Sequence, residues 1–216
     1  DCRRRPDHRH HVAEMQRQVD GGARDRADGG ERQEAHGAEA PRQAGVRISG
    51  EANIGGPFTL VDQTGATVTE ADFRGRAMLI YFGYTYCPDI CPFSLQVMAA
   101  ALDQMEPEER ERIQPVLITV DPERDTVEQL AQYVTSPAFP DGLIGLTGTE
   151  DQIAEVTSAY RVVYRRAGEG DDYLMDHSSI VYLMNSDGEF VDVFTHGTDP
   201  AAMASRLQDF LEEEGA

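Results

Sequence analysis

The chain has 216 residues, with 39 Asp and Glu against 19 Arg and no lysine, for a formal net charge of −20. That excess of negative charge argues against nucleic-acid binding and against adsorption to anionic lipid, both of which need clustered cations. No apolar run approaches the roughly 18 residues of a membrane span, no signal-peptide pattern is present, and three cysteines are too few for a disulfide scaffold, so a soluble domain with one core is expected.

Residues 1–45 are rich in Arg, Ala, Gly, Gln and Glu and nearly free of aromatics, and they read as a disordered or non-native leader. Residues 46–216 are expected to form the folded domain. Charge divides along the same line. Residues 1–50 carry ten Arg and nine acidic residues, whereas the rest carries nine Arg and thirty acidic residues, a net of −21. Such acidity serves solubility or favours a basic partner. His8, His10 and His11 make a short His-rich tract with weak metal affinity at most, and Cys2 is a lone exposed thiol.

Phe58–Val61 and Ala66–Thr69 flank the turn residues Asp62–Gly65 and predict a hairpin. Ala77–Tyr84 has the length and β-rich composition of a buried central strand, and Phe93–Met105 carries apolar residues at helical spacing, with the helix starting near Pro92. Ile113–Val120 predicts a second buried strand, and Asp125-Thr126 caps a following helix. Leu143–Leu146 is a short strand, and Thr149-Glu150-Asp151 opens a helix running through Ile153, Val156, Tyr160 and Val163. After a break at Gly168–Asp172, Ser179–Met184 and Glu189–Thr195 form a hairpin around Asn185–Gly188, and Pro200–Glu214 is a closing amphipathic helix. This alternation predicts an α/β sandwich with a mixed central β-sheet flanked by helices and an N-terminal β-hairpin extension. There is no internal repeat, no phosphate-binding glycine pattern and no serine nucleophile elbow.

Cys87 and Cys91 lie within Thr85–Ser94, at the junction of the central strand and its helix, and Pro88 and Pro92 keep both on the loop leading into that helix. Four residues of helix-like chain put the two Cα atoms about 6 Å apart, within disulfide reach. The helix N-terminus also favours thiolate, which is both the nucleophilic and the metal-binding form of cysteine. The pair is thus expected to close a reversible disulfide or to share a metal; two inert buried thiols would need neither proline. His177 stands ninety residues after Cys87, just before a predicted strand, where neighbouring strand ends cluster. Two thiolates and one imidazole form a soft, low-coordinate set suited to Cu(I) and able to hold Cu(II), whereas structural zinc wants a fourth ligand. Met175 is either a weak axial donor or a core residue, and Asp176 either orients the imidazole or caps a loop.

Tyr-Cys-Pro-Asp-Ile-Cys-Pro at 86–92, Val-Asp-Pro-Glu-Arg-Asp-Thr at 120–126 and Asp-His-Ser at 176–178, in that order, resemble the Sco/SenC copper-protein family. The resemblance runs from about residue 46 to the C-terminus. It implies a thioredoxin-like fold, copper held by Cys87, Cys91 and His177, and a role in maturing the copper A centre of cytochrome c oxidase subunit II, with another copper chaperone as candidate donor. It also implies a place on the periplasmic side of the bacterial inner membrane, tethered through an N-terminal helix, for which this sequence has a polar leader instead. Asp121, Asp125 and Thr126 match the second motif, and a turn with a helix cap accounts for them without a ligand role.

Two functions compete. A metallochaperone would hold copper in an open site and pass it on by ligand exchange. A thiol-disulfide oxidoreductase would attack a target disulfide with one cysteine and resolve it with the other. Thioredoxins carry two residues between their cysteines and a cis-proline before the following strand. The three intervening residues here, and Asp176-His177-Ser178 in the comparable stretch, favour metal. A peroxidase of the peroxiredoxin type is disfavoured because its threonine-x-x-cysteine context is missing.

Overall fold

The computed structural model describes residues 54–215; the expected leader, its histidines, Cys2 and Ile48 lie outside the described residues. The first hairpin pairs β1 (Thr59–Asp62) with β2 (Thr67–Thr69). Its turn is closed by the Asp62 carboxylate, which accepts the Thr64 and Ala66 N–H groups at 2.8 and 3.0 Å. A 3-10 turn at Glu70–Phe73 then leads to β3 (Ala77–Gly83), α1 (Ile90–Leu102), the short α2 (Pro107–Arg110) and β4 (Ile113–Thr119). Every residue of β3 and β4 is buried. Strands buried along their whole length are covered on both faces, as parallel neighbours in α/β sheets are, and these two pair in parallel.

The remaining elements are α3 (Val127–Tyr133), β5 (Ile144–Thr147), α4 (Glu150–Ala159), β6 (Tyr164–Ala167), β7 (Leu174–His177), β8 (Ile180–Met184), β9 (Phe190–Thr195) and α5 (Pro200–Gly215). Seven strands form one sheet in the order β2-β1-β5-β4-β3-β8-β9, parallel from β5 through β4 to β3 and antiparallel elsewhere. The α/β sandwich and its hairpin extension are as expected, and α1 packs beside α5. In register, Gly83 at the end of β3 faces Thr119 at the end of β4, and the Val120 N–H donates to the Gly83 carbonyl at 2.8 Å. The loop holding the cysteines and the loop holding Asp121 and Asp125 therefore leave the sheet side by side. This is the carboxyl edge of parallel strands, where open α/β sheets place ligands.

Three details depart from expectation. Helix α1 begins at Ile90, two residues before Pro92, so Cys91 lies inside the helix. Pro92 occupies the first turn, whose N–H groups have no helical acceptor, and costs nothing there. Helix α4 stops at Ala159, because Arg161 adopts a left-handed φ of 58° and turns the chain away before Val163. Finally, β6 and β7 form a separate two-stranded sheet with Tyr164 opposite His177, so His177 ends a strand as well as preceding one. Among the described residues no helix is long and apolar enough to cross a membrane.

Candidate metal centre

Cys87, Cys91 and His177 meet at the carboxyl edge of the sheet, with their two sulfurs and one ring nitrogen all within 4.8 Å of one another. Cys91 is fully buried, while Cys87 and His177 are partly exposed. Burial of Cys91 depends on Gly83. A methyl group there would lie 3.1 Å from Cys91 Sγ and 2.7 Å from the Tyr81 ring, so only glycine lets helix α1 set its second residue against the strand. Cys87 Sγ accepts the Cys91 N–H at 3.3 Å. Asp89 stands at the cap position of α1 without a side-chain capping bond, so the sulfur serves an N–H that would otherwise lack a partner.

These contacts separate the two thiols. The hydrogen bond from the Cys91 thiol pulls the Cys87 thiol far below the ordinary range; burial opposes this and is outweighed with the help of His177 and the N–H groups of Asp89 and Cys91. The same bond, followed by burial, pushes Cys91 up. The two shifts run in opposite directions and favour thiolate on the more accessible sulfur.

His177 presents a defined nitrogen to this pair. Its Nδ1 lies 3.1 Å from the Ser178 carbonyl, which can only accept, so Nδ1 donates there and Nε2 is the nitrogen turned toward the sulfurs. Nε2 is 3.3 Å from Cys91 Sγ. The rings of Tyr81 and Tyr84 stand edge-on to the imidazole, with centroids at 6.0 and 5.9 Å. The alternation along β7 puts Met175 and His177 on one face and Leu174 and Asp176 on the other. Met175 packs against the core and also lines the cleft of about 270 Å³ that opens over Cys87 and His177. Asp176 does not orient the imidazole. It turns outward to pair with Arg165 at 2.8 Å, and the Ser178 carbonyl takes the orienting position.

The second motif supplies support. Asp125, with no exposed surface, accepts the Thr85 N–H at 3.0 Å and the Thr85 and Thr119 hydroxyls at 2.6 Å each, joining the cysteine loop to β4. Thr126 caps α3 by accepting the Gln129 N–H. Asp121 accepts from Arg124 Nε and from the Tyr173 hydroxyl, both at 2.6 Å. Burial and that hydrogen bond push the Tyr173 phenol up to about 12. Tyr84, whose hydroxyl accepts the Met175 N–H at 3.2 Å, also ties β7 to the end of β3. Sequence reasoning passed over Tyr84, Arg124 and Tyr173. The one available signal was Asp-Pro-Glu-Arg-Asp directly after an apolar strand, a charged run where buried acids require partners.

The SCO1/SenC family model matches residues 46–212. The chain is 45% identical over 152 residues to Protein SCO1 homolog 1, mitochondrial, of Arabidopsis thaliana, covering 70% of this chain and 45% of that protein. It is 41% identical over 175 residues to Protein SCO1 homolog, mitochondrial, of Homo sapiens, covering 76% of this chain and 56% of that one. It thus spans about half the length of these curated relatives. The structure of Bradyrhizobium japonicum ScoI with copper bound matches at a TM-score of 0.66 and 41% identity, over 73% of this chain and 99% of that one. The fold is the thioredoxin-like sandwich of these neighbours.

Proposed function

The chain belongs to the SCO1/SenC family, and on that premise we propose that it is a copper metallochaperone, holding Cu(I) or Cu(II) through Cys87, Cys91 and His177 and delivering it to the copper A site of cytochrome c oxidase subunit II. The observation that carries this reading is the convergence of two sulfurs and His177 Nε2 within 4.8 Å of one another, with Cys87 and His177 lining an accessible cleft. The donor set fits a soft ion. Among the described residues no fourth Cys, His, Asp or Glu joins the group, which leaves a coordination position through which an acceptor's ligand could enter. Loading would require Cys87 as thiolate, which its surroundings already favour, and release of the Cys91 proton to solvent, so that both sulfurs and His177 Nε2 would hold the ion. In this reading residues 46–216 form the copper-binding unit, working on the periplasmic side of the inner membrane and loaded by another copper chaperone.

The exposure and low thiol pKa of Cys87 support a second reading, a reductase for the cysteines of the same copper site. Cys87 thiolate would attack one sulfur of a target disulfide, releasing the other as thiolate. Cys91, losing its proton, would then displace the second and close a Cys87–Cys91 disulfide, passing two electrons to the target.

Copper titration of the reduced chain, with thiols counted before and after, separates the two. One copper per chain with two thiols masked is expected, along with loss of Cu(II) binding in Cys87→Ser, Cys91→Ser and His177→Ala and no uptake by the oxidised chain. Tight Cu(II) binding by His177→Ala would remove that ligand from the site. Failure of the wild type to bind, with a readily cycled disulfide, would leave the reductase.

A further inference from the structure

The cysteines and His177 are carried by two separately built parts of the fold. The cysteine pair belongs to the β3–α1 junction, within the seven-stranded body, and His177 ends a two-stranded sheet that shares no strand pairing with that body. Among the side chains that touch both parts, Arg124 makes the most connections. Arg124, 14% exposed, donates from Nε to Asp121 at 2.6 Å and from Nη1 to the backbone carbonyls of Tyr173 at 2.9 Å and Asp171 at 3.3 Å. Its guanidinium carbon lies 3.5 Å from the centre of the Tyr173 ring, 4.7 Å from Tyr86 and 5.8 Å from Tyr84. Nη2 is buried without a hydrogen-bond acceptor, in a guanidinium that lies over tyrosine rings.

The three rings mark the two halves of the site. Tyr86 directly precedes Cys87, and the Tyr84 carbonyl accepts the Cys87 N–H at 3.3 Å. Tyr173 directly precedes β7, four residues before His177, and its other face is covered by Arg166 at 3.6 Å, itself paired with Glu123 at 3.2 Å. Arg124 and Glu123 both belong to the loop after β4.

We propose that Arg124 is a positioning residue that sets the spacing between the cysteine pair and His177 by clamping Tyr173 against the loop after β4 and against Tyr86. It touches no candidate ligand and acts only through these tyrosines and the hairpin backbone. A planar fork is needed, because the same group must donate to two backbone carbonyls and a carboxylate while stacking on rings; lysine can do neither together.

The proposal rests on the copper reading, and the test separates the two. Arg124→Lys and Tyr173→Phe are compared with wild type by amide hydrogen exchange without metal and by the electron paramagnetic resonance of bound Cu(II). Arg124→Lys should exchange residues 164–177 at least tenfold faster while β3 and β4 keep their protection, and its Cu(II) signal should lose part of its nitrogen coupling. Tyr173→Phe, which keeps the stacking but loses the bond to Asp121, should shift both in the same direction by less. Uniformly faster exchange in β3, β4 and the hairpin would mean that Arg124 merely stabilises the fold and would overturn the proposal. An unchanged Cu(II) signal would overturn it as well. Absence of copper binding by wild type would instead sink the copper reading, and faster exchange confined to the hairpin would still establish the clamp.

Discussion

His177 Nε2 lies 3.3 Å from Cys91 Sγ across 86 residues of sequence, and it faces the buried sulfur of the pair while the accessible sulfur of Cys87 lies at the cleft. The two thiols thus have different chemical duties. The surroundings favour thiolate at Cys87 and disfavour it at Cys91.

Alkylation should reveal that division. With its thiol pulled down by Cys91, Cys87 is thiolate throughout the neutral range, so its rate with iodoacetamide should be nearly flat from about pH 5 to 8 and lower at the plateau than that of an ordinary thiolate. Cys91, pushed up and buried, should stay unmodified. A rate rising about tenfold per pH unit up to pH 8 would mean an ordinary Cys87 thiol.

Asp125 offers a test of the brace beneath the cysteine loop. Its carboxylate is the sole acceptor shown for the Thr85 N–H, so Asp125→Ala should cost about 3 kcal/mol by urea unfolding. Asp125→Asn keeps an acceptor and can reverse one hydroxyl bond, so its cost should be nearer 1 kcal/mol. Burial raises the Asp125 carboxyl above its unfolded value of 3.8, against the hydrogen bonds from Thr119 and Thr85. Its contribution is therefore full below that value and falls as pH rises through the folded one. The deficit of Asp125→Asn relative to wild type should accordingly shrink from acid to neutral pH. An Asn variant as unstable as the Ala variant, or a deficit growing with pH, would contradict this account.

Gly83→Ala should show that the strand leaves room for one atom only. The added methyl meets Cys91 Sγ and the Tyr81 ring, which cannot both give way inside the core, so a loss of about 2 kcal/mol is expected. Displacing Cys91 should also make it reactive toward iodoacetamide. Wild-type stability with Cys91 still protected would show that α1 shifts without harm.

The legible parts of this chain were those written in consecutive residues. Ala77–Phe82 and Val116–Ile118 are unbroken apolar runs, and every residue of the two strands that hold them is buried. Cys87, Cys91 and His177 stood out by residue type, since few other roles need two thiols at a helix start. The β6–β7 sheet escaped because four residues of alternation, two of them arginine in β6, carry almost no period. Arg124 escaped for a different reason. Its partner carbonyl at Tyr173 is 49 residues away, and side-chain pairing over such a distance leaves no trace in local spacing.

The separate two-stranded sheet has a mechanical consequence. An ion bonded to both sulfurs and to His177 would be a removable crosslink between the body and an arm of the protein, closing a loop that the backbone alone leaves to side-chain contacts. Crosslinks of that kind suppress opening of the segment they tie down. The arm's opening rate, set by Tyr84, Arg124 and Tyr173, would then govern how long the cargo stays aboard. Limited proteolysis within residues 164–177 should accordingly slow on loading, and equal cleavage of the loaded and empty chains would mean that the arm does not open on its own.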